Sequence, residues 1–499
     1  MGRVELSITL IGAILIPLTL AVFFFRPDYL LPLLVVSAAF PAATVFNITI
    51  GNFPGGVQPF YFVALFVVVR IAVIAARSHR LLPGAGSAIA RASRPLLWFW
   101  MWAVASAFVL PVLFRGTAVL VPREGIPEVR EVLSTGVYGE PLHWSLSNLA
   151  QAGYLTLCVA VVIYAARVSG PAMSHRCVRT LRLAVGIVAV VAIVQLVALE
   201  FGWGFPYGLL NTNPVWSKLY AEEVGGISRV SSTFSEPSVA GGFLAASWLG
   251  LMAELVSGRR GLSFSIATAC VFVALLRTTA STGYATAVVG GALMVLLFRR
   301  LHGGSRRKRV SWKRWLGPFG IAIGVAGAVF LLSPSLLRVA GLVTLGKLHS
   351  GSLVGRVLSD AFAMRIFLNT YGLGAGLGSN RPSSFITYLL SNVGLVGCVL
   401  FGIFIARMLA ALRDACRAER TTELRFVFWM TIGWLVAMVL SVPDLSFAPF
   451  WAILATAVSA VSARSLAAAM VPGRAPAATP RIAGKAGRGH LGQGDAVGA

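Results

Sequence analysis

The sequence predicts an all-α fold: a polytopic membrane helical bundle of about 12–13 transmembrane helices, carrying two long outer loops that hold the functional residues. Three observations predict it. Of 499 residues, 57% are hydrophobic and only 12% charged, with a mean hydropathy of +0.82, which leaves too little polar surface to coat a soluble globule. Apolar runs close to the ~20 residues needed to cross a bilayer recur along the whole chain. The connections between these runs alternate between basic and non-basic, as the two sides of a membrane require.

Taken in order, the runs cover residues 7–25, 29–46, 58–76, 95–114, 148–166, 183–201, 238–256, 262–280, 283–298, 316–332, 384–406, 426–441 and 447–469. The first ends in FFFRPDY without a small-residue cleavage site, so it is expected to be retained as a span. Basic connections fall at Arg77–Arg94, Arg167–Arg182, Arg259–Arg260, Arg299–Arg314, Arg407–Arg425 and Arg464–Arg488, and hold about two thirds of the 42 Lys and Arg. These are expected on the cytoplasmic side. Arg3 and Arg26 flank the first span from opposite sides, so charge alone does not orient the first two spans.

No gap between spans is long enough for a soluble domain, so residues 1–470 read as a single membrane domain. Residues 471–499, rich in Pro, Gly, Ala and Arg, read as a disordered basic cytoplasmic tail. The formal net charge of +25 is spread among many linkers and not gathered on one face, which argues against nucleic acid as a partner. Instead, the Arg299–Arg314 linker suits the anionic inner leaflet of a lipid bilayer. Cys158, Cys270 and Cys398 fall inside spans, and Cys177 and Cys416 in basic linkers. No outer disulfide or zinc site is expected.

The two long outer loops, about 202–237 and 333–383, keep several arginines on the side where Lys and Arg should be sparse. That placement points to a bound anion. In the first loop, RVSSTFSEPSVAGGF (Arg229–Phe243) runs straight into a span. Ser235 or Glu236 can cap the new helix and Pro237 suits its first turn, which accounts for the acid but not for Arg229. In the second, Val354, Val357, Leu358, Ala361 and Phe362 form one helical stripe, as expected of an interfacial helix. Arg356 lies on the polar face one turn before Asp360, with which it can pair, and Arg365 projects into the apolar stripe. The glycine run Gly372–Gly378 follows no strand and fits no dinucleotide fingerprint; it suits close backbone approach. Asn380 and Arg381 follow it as donors at the entrance of a span, and Arg277 sits at the outer end of another. Carboxylate clusters that would hold a metal are scarce, so neither a metal nor a cofactor is expected. The acids and imidazole available as a general base in the outer loops are Glu236, His349 and Asp360.

Three segments together resemble the O-antigen ligase and polymerase family of bacterial membrane proteins. They are RVSSTFSEPSVAGGF, the polar break LLRTTASTGYATAVVGG (Leu275–Gly291), and GRVLSDAFAMRIFLNTYGLGAGLGS (Gly355–Ser379) leading to a span that ends in NVGLVG. The likeness covers about residues 180–440. It implies a metal-independent glycosyltransferase of the bacterial inner membrane, working at the periplasmic face on a glycan carried by undecaprenyl pyrophosphate. Arg229 and Arg356 match the family's functional arginines, with Glu236 as a further catalytic candidate. Arg365, Arg381, Asn380, Arg277 and His349 are the substrate-binding candidates. Ligases of the group place a His just after the glycine-rich turn, where this chain has Ser383 and Ser384. The departure favours a repeat-unit polymerase, with a chain-length regulator as a conceivable partner, over a ligase or a lipid-linked oligosaccharide flippase.

Overall fold

The computed structural model describes residues 4–50, 53–78, 88–119, 140–216, 223–224, 226–259, 261–302, 351–419, 421–441 and 444–469, with isolated positions 320, 324, 327 and 341. The fold is mostly helical. Eight helices are long and apolar enough to cross a membrane: α3 (Pro59–Ser78), α4 (Ala88–Leu113), α5 (Leu146–Val168), α6 (Pro171–Glu200), α8 (Pro237–Val256), α10 (Ser281–His302), α12 (Phe385–Glu419) and α13 (Thr422–Ser441). The shorter apolar helices α1 (Leu10–Phe25), α2 (Leu30–Ser37), α9 (Leu262–Arg277) and α14 (Ala448–Ala469) fall on four further runs. Between these lie the four-residue α7 (Tyr207–Leu210) and the loop helix α11 (Gly351–Asn369). The run at 316–332 and the tail from 471 lie outside the described residues.

Two features depart from an all-α reading. The run 29–46 is helical only to Ser37, because Phe40 precedes Pro41 and is biased away from helix. Beyond it the β-branched segment β2 (Phe46–Ile50) pairs with β1 (Val4–Ile8) on one side and β3 (Phe53–Val57) on the other, in an antiparallel sheet of order β1-β2-β3. Two-stranded ribbons, β4 (Ala118–Val119) with β5 (Glu140–Pro141) and β6 (Glu223–Val224) with β7 (Ile227–Ser228), tie off the outer loops.

The sheet orients the first two helices. Since β3 leads directly into α3 at the end away from the basic linkers, the pairing of Val4 with Ile50 brings the start of α1 to that same outer end. At the opposite end Arg176 lies over the Tyr29 ring at 4.8 Å and 4.0 Å from Asp28, so the α1–α2 connection sits with the basic linker 167–182.

The core is built around α8, which is buried nearly throughout and packs most extensively on α13. A Cβ on Gly433 of α13 would come within 2.8 Å of the Ala246 backbone, so the close approach of these two helices depends on the missing side chain. At the basic end, Glu254 of α8 is fully buried and accepts from Arg182 of α6 and, at 3.2 Å, from Arg259. Arg182 reaches Glu423 of α13 at 3.4 Å. A buried carboxylate paired in this way fixes the register of three helices, since either charge left alone would carry a large desolvation penalty.

Candidate functional site

The segment Arg229–Glu236 is held from below by Gln195, a fully buried amide near the outer end of α6. Its Oε1 accepts from the backbone N–H groups of Ser231 at 3.1 Å and Ser232 at 2.7 Å, and its Nε2 donates to the Tyr207 hydroxyl at 3.0 Å. Ser232 sits at φ 56, a left-handed conformation disfavoured for any residue with a Cβ, and its hydroxyl donates to the Val188 carbonyl at 2.7 Å. The turn between α9 and α10 is strained in the same way, with Thr279 at φ 45. The two turns are joined: Val230 N–H donates to the Arg277 carbonyl and Arg229 Nε to the Thr278 carbonyl, both at 3.2 Å. Arg229 and Arg277, far apart in sequence, thus stand together at the outer end, and both guanidiniums act electrostatically on Tyr284 of α10. Arg277 is buried and pairs with Glu200, the last residue of α6.

Glu236 occupies the N-cap position of α8 with extended backbone, and Pro237 takes the first helical position. Its side chain does not cap the helix, and its Oε2 accepts instead from the Ser238 hydroxyl at 3.2 Å. Helix initiation therefore leaves the carboxylate off the backbone, contrary to the capping role expected of it.

Arg356 and Asp360 do not pair. Arg356 Nη1 donates to the Ser441 hydroxyl at 2.6 Å, which ties the loop helix α11 to the outer end of α13. Asp360 Oδ1 accepts from the N–H groups of Ser383 and Ser384 at 3.0 and 2.9 Å and from the Thr387 hydroxyl at 2.7 Å. It caps α12 from a neighbouring helix, because the first N–H groups of a helix need acceptors and a carboxylate there also suits the dipole. The buried face of α11 carries Ala363 and Ile366, while Val354 and Val357 of the expected stripe are exposed and Arg365 with them. The stripe is split, since Ala361 is also exposed but Phe362 is half-buried against the cluster of Val119, Leu142, Ile366 and Ala375.

The glycine run folds over Asn392, whose Oδ1 accepts from the N–H groups of Ser379 and Asn380 at 3.1 and 3.0 Å. Gly394, at φ 67 inside α12, lies so close to the run that a Cβ would fall 2.3 Å from the Leu373 carbonyl oxygen. Asn380 is buried, and its amide donates to the Ser391 hydroxyl at 2.8 Å, a structural placement and not an exposed donor. Arg381, next in sequence, is exposed and acts electrostatically on Tyr388. His349 lies outside the described residues.

Sequence reasoning passed over Asp444. It sits in the connection between α13 and α14 and accepts from Ser446 N–H at 2.8 Å and the Ser446 hydroxyl at 2.7 Å. Its charge reaches Tyr61, Tyr154 and Tyr388, three phenols from three different helices. Tyr61 donates to the Ser446 carbonyl, and its ring centroid lies 4.4 Å from that of Tyr154. Phe447, three residues on, stacks on Trp434 at 5.4 Å and on Phe234 of the Arg229 segment at 6.3 Å. The Asp444 turn is therefore joined to the Arg229 segment through Phe447 and follows directly on Ser441, the partner of Arg356. A lone carboxylate in a short gap between two apolar spans is the signal that could have found it.

Among the described residues, no group of three or more His, Cys, Asp or Glu is arranged to hold a metal ion. The outer end offers guanidiniums, phenols, hydroxyls and carboxylates, Glu200, Glu236, Asp360 and Asp444 among them, a set suited to binding a polyanion and moving a proton. The chain matches no protein-family model, and no curated protein matches it.

Proposed function

We propose that this protein is a membrane glycosyltransferase of the polysaccharide polymerase type, moving a growing glycan from a polyprenyl pyrophosphate onto the next lipid-linked repeat. The observation that carries the reading is the joining of Arg229 and Arg277 at the outer end of a bundle of membrane-length helices, with Asp444 on the adjacent α13–α14 connection and Arg356 of α11 bonded to Ser441 at the end of α13. In the reaction the acceptor hydroxyl attacks the anomeric carbon, the bond from that carbon to the phosphate oxygen breaks, and the pyrophosphate leaves on its carrier with the electron pair. Arginine meets the developing charge without a metal, since its planar fork donates two hydrogen bonds and stays charged. Asp444 is the carboxylate best placed to take the acceptor proton, because its surroundings are phenols and hydroxyls and not a salt bridge among the described residues. The resemblance to the O-antigen ligase and polymerase family, together with the Ser383–Ser384 pair in place of a His, supports a lipid-linked repeat as acceptor.

Reconstitution tests the reading. Protein in liposomes loaded with lipid-linked repeats should form polymer, and Arg229→Ala and Arg356→Ala should fold but leave single repeats, each with a loss of about 10²–10³ in rate. Polymer at the normal rate from both variants, or movement of labelled lipid without new glycosidic bonds, would reject it.

A further inference from the structure

Arg277 has a side chain only 7% exposed, whereas Glu200, with which it pairs, is 53% exposed. A guanidinium so deeply placed needs an anion, and the anion reaches in from the open end of α6. Glu200 satisfies one edge only: Arg277 Nε is buried with no hydrogen-bond partner among the described residues. Two hydroxyls in the joined turns are in the same position. Thr279 is 1% exposed and Thr233 fully buried, and neither Oγ1 has a partner among the described residues. Each such atom is expensive to leave unmade in a buried place. Three of them lie in two turns that bond to each other, each a donor with its acceptor missing.

We propose that Glu200 is a displaceable counter-anion: it holds Arg277 in the resting protein at the place that a diphosphate oxygen takes in the bound one, the Thr233 and Thr279 hydroxyls completing the oxyanion site. The inference rests on the reading of the outer end as a diphosphate site. Arg277 then never stands unpaired, because the carboxylate moves out to solvent as the ligand enters. The carboxylate also lowers the apparent affinity by the fraction of time the pocket is closed, which favours release of the spent carrier. A diphosphate, with more charge and more oxygens than a carboxylate or a monophosphate, is the ligand class able to win this competition.

Calorimetric binding of inorganic pyrophosphate to the full-length protein in detergent tests it. Glu200→Gln should tighten binding roughly tenfold or more, and Glu200→Ser should do the same, since an exposed side chain is replaced in both. Adding Arg277→Gln should abolish the gain. Glu223→Gln removes the same charge from the exposed β6, outside the Arg277 pair, and should change affinity by no more than about twofold. Unchanged or weaker binding in both Glu200 variants, or equal tightening in Glu223→Gln, would overturn the proposal. The polymerisation assay separates the two readings. Tightening without any glycosidic bond formation would remove the glycosyltransferase and leave the counter-anion standing. Polymerisation without tightening would do the reverse.

Discussion

Replacing Gln195 with Met tests how the arginine segment is held. The side chains match in length and volume, so the substitution removes polar atoms without opening a cavity. It deprives the Ser231 and Ser232 N–H groups of their acceptor in a fully buried place. Each unsatisfied buried donor costs about 1–3 kcal/mol, and the left-handed Ser232 adds about 1–3 kcal/mol of strain that Gln195 helps to hold. Both costs work against the packing of Val230 and Phe234 that keeps the segment in place, so it should loosen and let Arg229 leave the Thr278 carbonyl. Hydrogen exchange at Ser231 and Ser232 should then lose most of its protection while α8 and α13 keep theirs, and polymer formation should fall by an order of magnitude or more. Gln195→Glu, which still accepts from both N–H groups, should restore part of the protection. Unchanged exchange at both serines in Gln195→Met would refute the reasoning, because the donors would have found other acceptors or never needed this one.

Two further outcomes follow from the same geometry. Asp360→Ala removes three hydrogen bonds at the start of α12, two of them from backbone N–H groups, and should lower stability by about 0.5–2 kcal/mol in thermal unfolding, with Asp360→Asn keeping part of the loss at bay. Asp444→Asn should leave pyrophosphate affinity within about twofold of the original while cutting the rate by about 10²–10⁴, as expected for a proton acceptor that does not touch the leaving group; a rate left intact would move the base elsewhere.

The helices were legible because each is spelled locally: an apolar run of the right length, bounded by charge, needs no knowledge of the rest of the chain. Glu236 and Pro237 marked the start of α8 for the same reason. The sheet was not read even though β1 (VELSI) and β2 (FNITI) alternate strictly, since each is only five residues long, abuts an apolar run that reads as a span, and finds its partner two helices away. The Arg356–Asp360 spacing suggested an ion pair within one helix, but the free N–H groups of α12 compete for that carboxylate and a helix carries no local record of its neighbours. Gln195 and Asp444 escaped notice because a polar residue acquires its meaning from what stands opposite, and their partners come from segments remote in the chain. Arg229 and Arg277 were each identified separately; their union was a property of the turns alone.

The burial of α8 bears on how the chain comes to be made. A helix leaving the translocon can remain against lipid for as long as its apolar surface is covered by acyl chains, but the Gly433 contact that seats α8 belongs to α13, which is made well after it. The Arg229 segment is attached to the head of α8, and Phe447 reaches it from the α13–α14 connection. The outer end therefore matures only after α13 and the connection beyond it have been made. A nascent chain halted before α13 would carry every arginine of the two outer loops and still lack the surface that brings them together.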